Sequence, residues 1–140
     1  MNKSLKTLSR IQKFNIDEQR KLLAEKMDEE AAVINNIKLL DERYEAEKIF
    51  SKENPGVGDF GLYTKRYLKL RRAEEERLRR IRLEIEAIRD KISEMFKEQK
   101  TFEIVDEHRA KAERRENEQK EQKMLDEIGT NAYIKRHEDN

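Results

Sequence analysis

The sequence has no cysteine, no tryptophan and a single proline in 140 residues. Without cysteine, disulfide bonds and thiolate zinc sites are excluded, and a reducing compartment is allowed without being required. No stretch approaches the roughly 18 consecutive apolar residues that a membrane-spanning helix needs. In the basic N-terminal stretch, charge interrupts every short apolar run, so the pattern of a secretory signal peptide is missing. A soluble cytoplasmic protein is the default expectation.

Apolar residues are also scarce, at 35% of the chain, whereas charged residues make up 45%. So little apolar surface does not fill a thick globular core, and it suits either long helices or disorder. Disorder usually accompanies a large net charge, but here 32 basic and 31 acidic residues nearly cancel. Because the apolar residues recur at regular intervals, extended helices within one domain are predicted.

The residues that interrupt helices are gathered in the stretch ENPGVGDFGLY, residues 53–63. Pro55 is the only proline, and three of the four glycines follow it within six positions. Proline ends a helix at or before the preceding residue, and glycine supplies the positive φ angles of a reversal. Asp59 is a candidate cap for the helix that follows. The predicted elements are a helix over about 4–53, a turn over 54–59, and a helix over about 60–128 that could reach residue 136.

Apolar residues recur along the second helix with alternating steps of three and four, the a/d pattern of a coiled coil. The positions are Leu78, Ile81, Ile85, Ile88, Ile92, Met95, Gln99 and Phe102, of which Gln99 alone is polar. Upstream, a second run follows the same rule in another phase, and the junction of the two runs predicts a stutter in the supercoil. That run is Phe60, Tyr63, Tyr67, Leu70 and Glu74. The stripe of the first helix is Ile16, Leu23, Met27, Val33, Ile37, Leu40 and Tyr44.

A helix with one apolar stripe must bury that stripe, and a short turn brings its neighbour back antiparallel. The predicted fold is therefore all-α: two long helices form an antiparallel coiled-coil hairpin, with the second helix longer and overhanging. The hairpin is predicted to be a single domain over residues 1–140. Facing residues should have numbers that sum to 111, which pairs Tyr44 with Tyr67 and places Leu8 opposite about Phe102.

Two motifs that suggest chemistry are better explained by this fold. Gly56, Gly58 and Gly61 have the G-x-G-x-x-G spacing of a dinucleotide site, but that site requires a preceding buried strand, and EAEKIFSK is charged and helical in period. His108 and His137 lie in polar stretches nearly thirty residues apart, so they are not expected to share a metal. We expect no enzyme activity, cofactor or metal site, because two paired helices offer no dry concavity.

The run RRAEEERLRRIR, residues 71–82, resembles a nucleic-acid-binding patch because it contains six arginines. Three glutamates lie among them, and Glu75 with Arg79 and Glu76 with Arg80 have the spacing of salt bridges on a solvated helix face. Nucleic-acid binding is therefore not expected, since phosphate chains favour an unbalanced basic face.

One apolar group lies beyond the reach of the first helix by roughly 20 residues, or about 30 Å of helix. It comprises Met124, Leu125, Ile128, Ala132, Tyr133 and Ile134. Either the chain frays after Gly129 or this group docks onto another protein. Near the turn, aromatic residues are more numerous than a tight hairpin end requires, and one or two are candidates for partner anchors.

The chain resembles the FliJ family of the bacterial flagellar type III export apparatus. The stretches that carry the resemblance are LKTLSRIQKFNIDEQRK at the start, the Pro-Gly turn, and QKEQKMLDEIGTNAYIKR at the end, especially MLDEIG. The resemblance covers nearly the whole chain. It implies a coiled-coil stalk similar to the central stalk of a rotary ATPase, located in the cytoplasm and peripherally at the inner membrane at the flagellar base.

The resemblance also implies partners: the hexameric export ATPase FliI, the export gate protein FlhA, and flagellar export chaperones. The N- and C-terminal portions would face the ATPase, and the candidate residues there are Met124, Leu125, Ile128 and Tyr133. The stripe nearer the turn would face the gate, and the candidate residues there are Ile37, Leu40, Tyr44, Tyr67 and Leu78. A monomer is expected.

The sequence also allows two other functions. A nucleic-acid- or ribosome-associated helical hairpin predicts an affinity that falls steeply with salt. A generic structural coiled coil predicts that the helices pair between chains.

Overall fold

A computed structural model describes residues 3–138. It contains two α-helices, α1 at Lys3–Glu53 and α2 at Phe60–Glu138, of 51 and 79 residues. The described residues form no strand, and α1 and α2 pack against each other, so the fold is the predicted all-α helical hairpin. Residue contacts divide the chain into two compact units. The hairpin unit is Phe14–Phe96, and the terminal unit combines Met1–Lys13 with Lys97–Asn140.

The turn between the helices is built from the residues that the sequence indicated. The Val57 N–H donates to the Asn54 carbonyl at 3.2 Å, and Gly56 and Gly58 take φ angles of 82° and 72°. These angles lie in the left-handed region, which glycine enters without steric cost. The dinucleotide-like spacing is therefore part of a reversal between two helices, as predicted.

Asp59 caps α2, which confirms its predicted role. Its Oδ1 accepts a hydrogen bond from the Leu62 N–H at 3.0 Å, and its carbonyl accepts one from the Tyr63 N–H at 3.1 Å. The first N–H groups of a helix have no partner within the helix, so the capping carboxylate satisfies one of them and complements the helix dipole.

The core of the hairpin unit is a small apolar cluster of Val33, Ile81 and Ile85. Val33 is completely buried, and the partly buried Leu23, Ile37 and Leu78 pack against the cluster. The predicted register is confirmed nearer the turn, where the rings of Tyr44 and Tyr67 stack with centroids 4.2 Å apart.

The seam, meaning the line of buried and half-buried positions along which α1 and α2 meet, corrects two sequence predictions. Leu70 and Met27 were assigned to the seam, but both are exposed, and the half-buried positions beside them are Arg71 and Lys26. When Arg71 replaces Leu70 as the seam residue, the α2 seam within the hairpin unit follows two unbroken heptad series. They are residues 60, 67, 74, 81, 88 and 95, and residues 64, 71, 78, 85 and 92. The predicted stutter is therefore wrong.

Long basic side chains occupy these seam positions because carboxylates face them across the helix pair. Lys26 Nζ lies 2.8 Å from Glu84, and Arg71 Nε lies 2.9 Å from Asp41. The bonds to Glu84 and then Glu29 raise the pKa of Lys26 above its ordinary value. The methylene stems cover the apolar stripe while the charged ends find partners at its edge.

In the terminal unit, polar side chains take several of the buried seam positions. Leu5 is buried, and it is followed by Ser9 and Gln12 instead of the predicted Leu8, which is exposed. Gln99 Nε2 donates to Ser9 Oγ at 2.7 Å, and Gln12 Nε2 donates to a Glu98 carboxylate oxygen at 2.7 Å. The buried heptad position is Ser9, and Leu8 lies one residue before it and projects into solvent. The placement of Leu8 opposite Phe102 is therefore wrong.

Candidate partner-binding surfaces

The C-terminal part of α2, which belongs to the terminal unit, is helical but is not covered by other described residues. Every residue from Glu107 to Glu138 is exposed. Local pairs support this stretch, since Lys111 lies 3.4 Å from Glu107 and Lys120 lies 3.5 Å from Glu116, both with i, i+4 spacing. Such pairs stabilise an uncovered helix by a few tenths of a kcal/mol each, about 0.2–0.5. We call residues 107–138 the uncovered segment.

Three of the four residues predicted to face the ATPase lie together on one face of the uncovered segment. Met124, Leu125 and Ile128 are 61%, 63% and 58% exposed. At about 100° per residue, these three side chains project within an arc of roughly 100°, and Ala132 extends the same face by one turn. Large apolar side chains gathered on one exposed face are typical of an interaction surface.

Tyr133, the fourth predicted residue, does not lie on that face. It projects roughly 140° away from Ile128 around the helix. Its ring contacts the ring of His137, with centroids 4.0 Å apart, and His137 Nδ1 lies 3.0 Å from the Tyr133 carbonyl. Tyr133 therefore has a local partner one turn away and is separate from the apolar face.

The five residues predicted to face the export gate all lie in the seam of the hairpin unit. Each is half-buried, and they are Ile37, Leu40, Tyr44, Tyr67 and Leu78. Tyr44 is the centre of an aromatic stack, with ring centroids 5.6 Å from Phe60 and 6.4 Å from Tyr63 in addition to Tyr67. The structure thus gives these residues intramolecular contacts.

Beside the seam lies a shallow groove that the sequence reading missed. Its lining residues are Asn36, Leu39, Leu40, Arg43, Leu70 and Glu74. Leu39 and Leu70 are 39% and 55% exposed, so this groove offers apolar surface that the helix pair does not bury. The available signal was Leu70 itself: it lies one residue before a heptad position and therefore projects beside the seam instead of into it.

A polar network crosses the seam next to this groove. The Tyr67 hydroxyl donates to Asp41 Oδ1 at 2.5 Å, and the Arg71 guanidinium donates from Nε to Oδ1 at 2.9 Å and from its terminal nitrogen to Oδ2 at 3.3 Å. Arg71 also pairs with Glu75. The hydrogen bonds from Arg71 and then Tyr67 hold the pKa of Asp41 below its ordinary value of 3.8. The Asp41 carboxylate in turn raises the pKa of Tyr67.

We predict that Asp41→Asn lowers the melting temperature near neutral pH and that this loss shrinks in acid. The folded chain binds the proton on Asp41 less tightly than the unfolded chain, so the carboxylate stabilises the fold above its ordinary pKa. That contribution is lost as the pH falls below about 4 and through the depressed pKa. Thermal melts followed by circular dichroism between neutral and acidic pH measure the difference.

The matched control is Asp17→Asn, which removes an exposed carboxylate 3.7 Å from Arg20 on the same helix. It should change the melting temperature little at any pH, because exposed pairs contribute at most about 1 kcal/mol. If the melting temperature of Asp41→Asn stayed below that of the wild type by the same amount at every acidic pH, the ionised carboxylate would not be the stabilising group.

Three of the six arginines in the run 71–82 pair with carboxylates of the chain: Arg71, Arg79 and Arg82. Arg79 lies 2.7 Å from Glu76, and Arg82 lies 3.3 Å from Glu30 across the seam. These pairs differ from the predicted Glu75–Arg79 and Glu76–Arg80 pairs, because Glu75 is taken by Arg71. Among residues 3–138, no group of three or more His, Cys, Asp or Glu side chains is placed to hold a metal ion.

Neither helix, over its described length, has a stretch long and apolar enough to cross a membrane. In comparisons with known proteins, the chain matches no family model, no curated protein and no solved structure.

Proposed function

We propose that this chain is a non-enzymatic component of the bacterial flagellar type III protein export apparatus, as its resemblance to the FliJ family implies. It would act as a stalk that promotes the hexameric export ATPase FliI, links it to the export gate protein FlhA, and escorts export chaperones. It would work as a monomer in the cytoplasm, peripherally at the inner membrane at the flagellar base.

The observation that supports this proposal best is the uncovered segment with its apolar face. A helix from Glu107 to Glu138 that buries none of its residues has no role in holding the hairpin closed. Met124, Leu125 and Ile128 would nevertheless remain in water unless another molecule covers them. A helix with one apolar face and balanced charge elsewhere suits docking into an apolar groove of a protein partner. The ATPase hexamer is the partner that the resemblance assigns to this end.

For the gate protein, we propose the groove beside the seam as the contact surface. The half-buried seam residues cannot leave the helix pair without exposing the aromatic stack and the core. Leu39 and Leu70 are exposed and line the same groove. The half-buried Leu40 and the exposed Arg43 also line it. An apolar segment of a partner with an acidic residue near its centre would be complementary to this surface.

The decisive experiment is ATP hydrolysis by the organism's own export ATPase with and without this chain. We predict that Met124→Gln/Leu125→Gln/Ile128→Gln removes most of the stimulation, because each exposed apolar anchor contributes on the order of 1–2 kcal/mol to binding. Removing residues from Met124 onward should abolish it. The melting temperature of the triple variant should stay close to that of the wild type, since all three side chains are exposed.

The matched control is Ile34→Gln/Ile49→Gln/Leu83→Gln, which makes three exposed apolar side chains of the hairpin unit polar. It should stimulate the ATPase as the wild type does. Full stimulation by the triple variant at Met124, Leu125 and Ile128 would refute the assignment of this face to the ATPase.

A further inference from the structure

The end of the hairpin unit nearest the turn exposes several apolar side chains. Phe50, Val57 and Leu62 are 47%, 59% and 46% exposed. Phe50 and Val57 line the same hollow, together with Phe60 and Tyr63. Leu62 follows in the first turn of α2, after the Asp59 cap. We call Phe50, Val57 and Leu62 the apolar tip.

Directly after the apolar tip, α2 carries a run of positive charge. Residues 60–73, FGLYTKRYLKLRRA, contain five basic residues and no acidic one. Arg71 points into the seam and is paired with Asp41. The other four are exposed and, among the described residues, form no ion pair with a carboxylate. We call these four the basic collar, and they are Lys65, Arg66, Lys69 and Arg72.

Leu62 of the apolar tip and the basic collar share one side of α2. Arg66 and Lys69 follow Leu62 by four and seven residues, so the three project within roughly 60° of one another on successive turns. Lys65 and Arg72 flank them on the side of α2 that points away from Tyr67. The order along this side is thus Leu62 in the first turn of α2, then Arg66 and Lys69 one and two helical turns further on.

Acidic residues near the turn do not cancel this charge. Glu47 and Asp59 line the hollow beside Phe50, and the Asp59 carboxylate keeps its negative charge while it caps α2. Even so, residues 38–73 hold nine basic and six acidic residues. The facing stretch of α1, residues 38–53, has four basic and five acidic residues and is nearly neutral. A net positive charge therefore remains on α2 behind the apolar tip.

We infer that the apolar tip and the basic collar form a peripheral binding site for an anionic lipid surface. Apolar side chains enter the boundary between headgroups and acyl chains, and cations one or two turns away meet the lipid phosphates. Lysine and arginine suit this position because their long stems reach past the apolar residues. The inference goes beyond the proposed function and does not depend on it.

The same residues fit other polyanions less well. Nucleic acid would use the cations, but base recognition also calls for exposed aromatic rings for stacking. The aromatic rings of residues 60–73 are half-buried in the seam, which leaves Phe50 as the one exposed ring of the apolar tip. An acidic protein would need walled pockets for its anchors, whereas Val57 and Leu62 are themselves 59% and 46% exposed. A fluid surface accepts protruding apolar side chains without a matching pocket.

Vesicle flotation with the full-length chain tests the inference directly. We expect the chain to float with vesicles of phosphatidylcholine containing about one third phosphatidylglycerol and not with phosphatidylcholine alone. Arg66→Gln/Lys69→Gln should weaken binding by roughly tenfold to thirtyfold, because each basic residue near an anionic leaflet contributes about a factor of five. Val57→Ser/Leu62→Gln should weaken it by a similar factor through lost apolar insertion.

Two control variants match these changes elsewhere in the hairpin unit. Arg80→Gln/Lys91→Gln removes two exposed cations, and Ile34→Gln/Leu83→Gln makes two exposed apolar side chains polar. Both should bind vesicles as the wild type does. Equal losses in the controls, or no flotation with anionic vesicles, would overturn the inference.

A fluorescent probe separates a lipid surface from other sources of phosphate. The chain has no tryptophan, so V57W introduces a single reporter at the exposed turn. Its emission should shift to the blue with anionic vesicles and stay unchanged with inorganic phosphate or single-stranded DNA. Emission that stays unshifted with anionic vesicles would refute lipid binding. Flotation that is lost when single-stranded DNA is added, with the chain bound to the DNA instead, would assign the basic collar to nucleic acid. Because no export protein is present, the result is independent of the ATPase assay.

Discussion

Ile85→Ala is expected to lower the free energy of unfolding by about 3 kcal/mol. Ile85 is buried in the cluster with Val33 and Ile81, and this cluster is the core of the hairpin unit. Alanine has a higher helix propensity than isoleucine, so the loss measures packing between α1 and α2 and not helix formation. Urea denaturation followed by circular dichroism gives the change, and the midpoint should fall markedly.

Leu83→Ala is the matched control for this prediction. Leu83 lies two residues earlier on the same helix and is 61% exposed, so its truncation leaves no cavity. The expected change in unfolding free energy is within about 0.5 kcal/mol. If both variants lost the same stability, the seam assigned to α2 would be wrong, because the buried and exposed positions would not differ in energy.

The main features of this fold follow from the sequence. One proline and a cluster of glycines between two long stretches without either residue determine where the chain reverses. The heptad spacing of the apolar residues in α2 identifies Ile81, Ile85 and Ile88 as buried, and they are. The constant-sum rule gives a register near 111, and the stacked rings of Tyr44 and Tyr67 confirm it.

The errors arise where a polar side chain occupies a seam position. A periodicity argument ranks Leu70 above Arg71 and Met27 above Lys26, since it scores each residue alone. Whether a basic residue can lie in the seam depends on a carboxylate of the other helix, as Asp41 provides for Arg71. That information is non-local, so hydrophobic spacing within one helix does not contain it.

The candidate surfaces were only partly predictable for a related reason. Met124, Leu125 and Ile128 stand out because no facing helix reaches them, and helical spacing alone places them on one face. Tyr133 entered the same group by sequence proximity, although its angular position separates it. The groove with Leu39 and Leu70 needs both helices and a register, so neither residue is conspicuous in the sequence.

Tyr44→Ala is expected to lower the free energy of unfolding by about 2–3 kcal/mol. The Tyr44 ring contacts three other rings, those of Phe60, Tyr63 and Tyr67. Tyr44 belongs to α1, and the other three residues belong to α2. Truncation removes the apolar contact area of the ring and its stacking geometry together. Thermal and urea denaturation of the full-length chain measure the loss.

Tyr44→Phe distinguishes the ring from its hydroxyl. The hydroxyl has one contact, with Thr64 Oγ1 at 3.5 Å, so Tyr44→Phe should change the unfolding free energy by less than about 1 kcal/mol. Tyr44→Ala and Tyr44→Phe together also separate folding from partner binding near the turn. If Tyr44 serves the stack alone, Tyr44→Phe should bind the gate protein as the wild type does, and Leu39→Gln/Leu70→Gln should bind it less tightly at unchanged stability. A stable Tyr44→Phe variant that fails to bind would instead place the Tyr44 hydroxyl in the interface, and the seam would then have both roles.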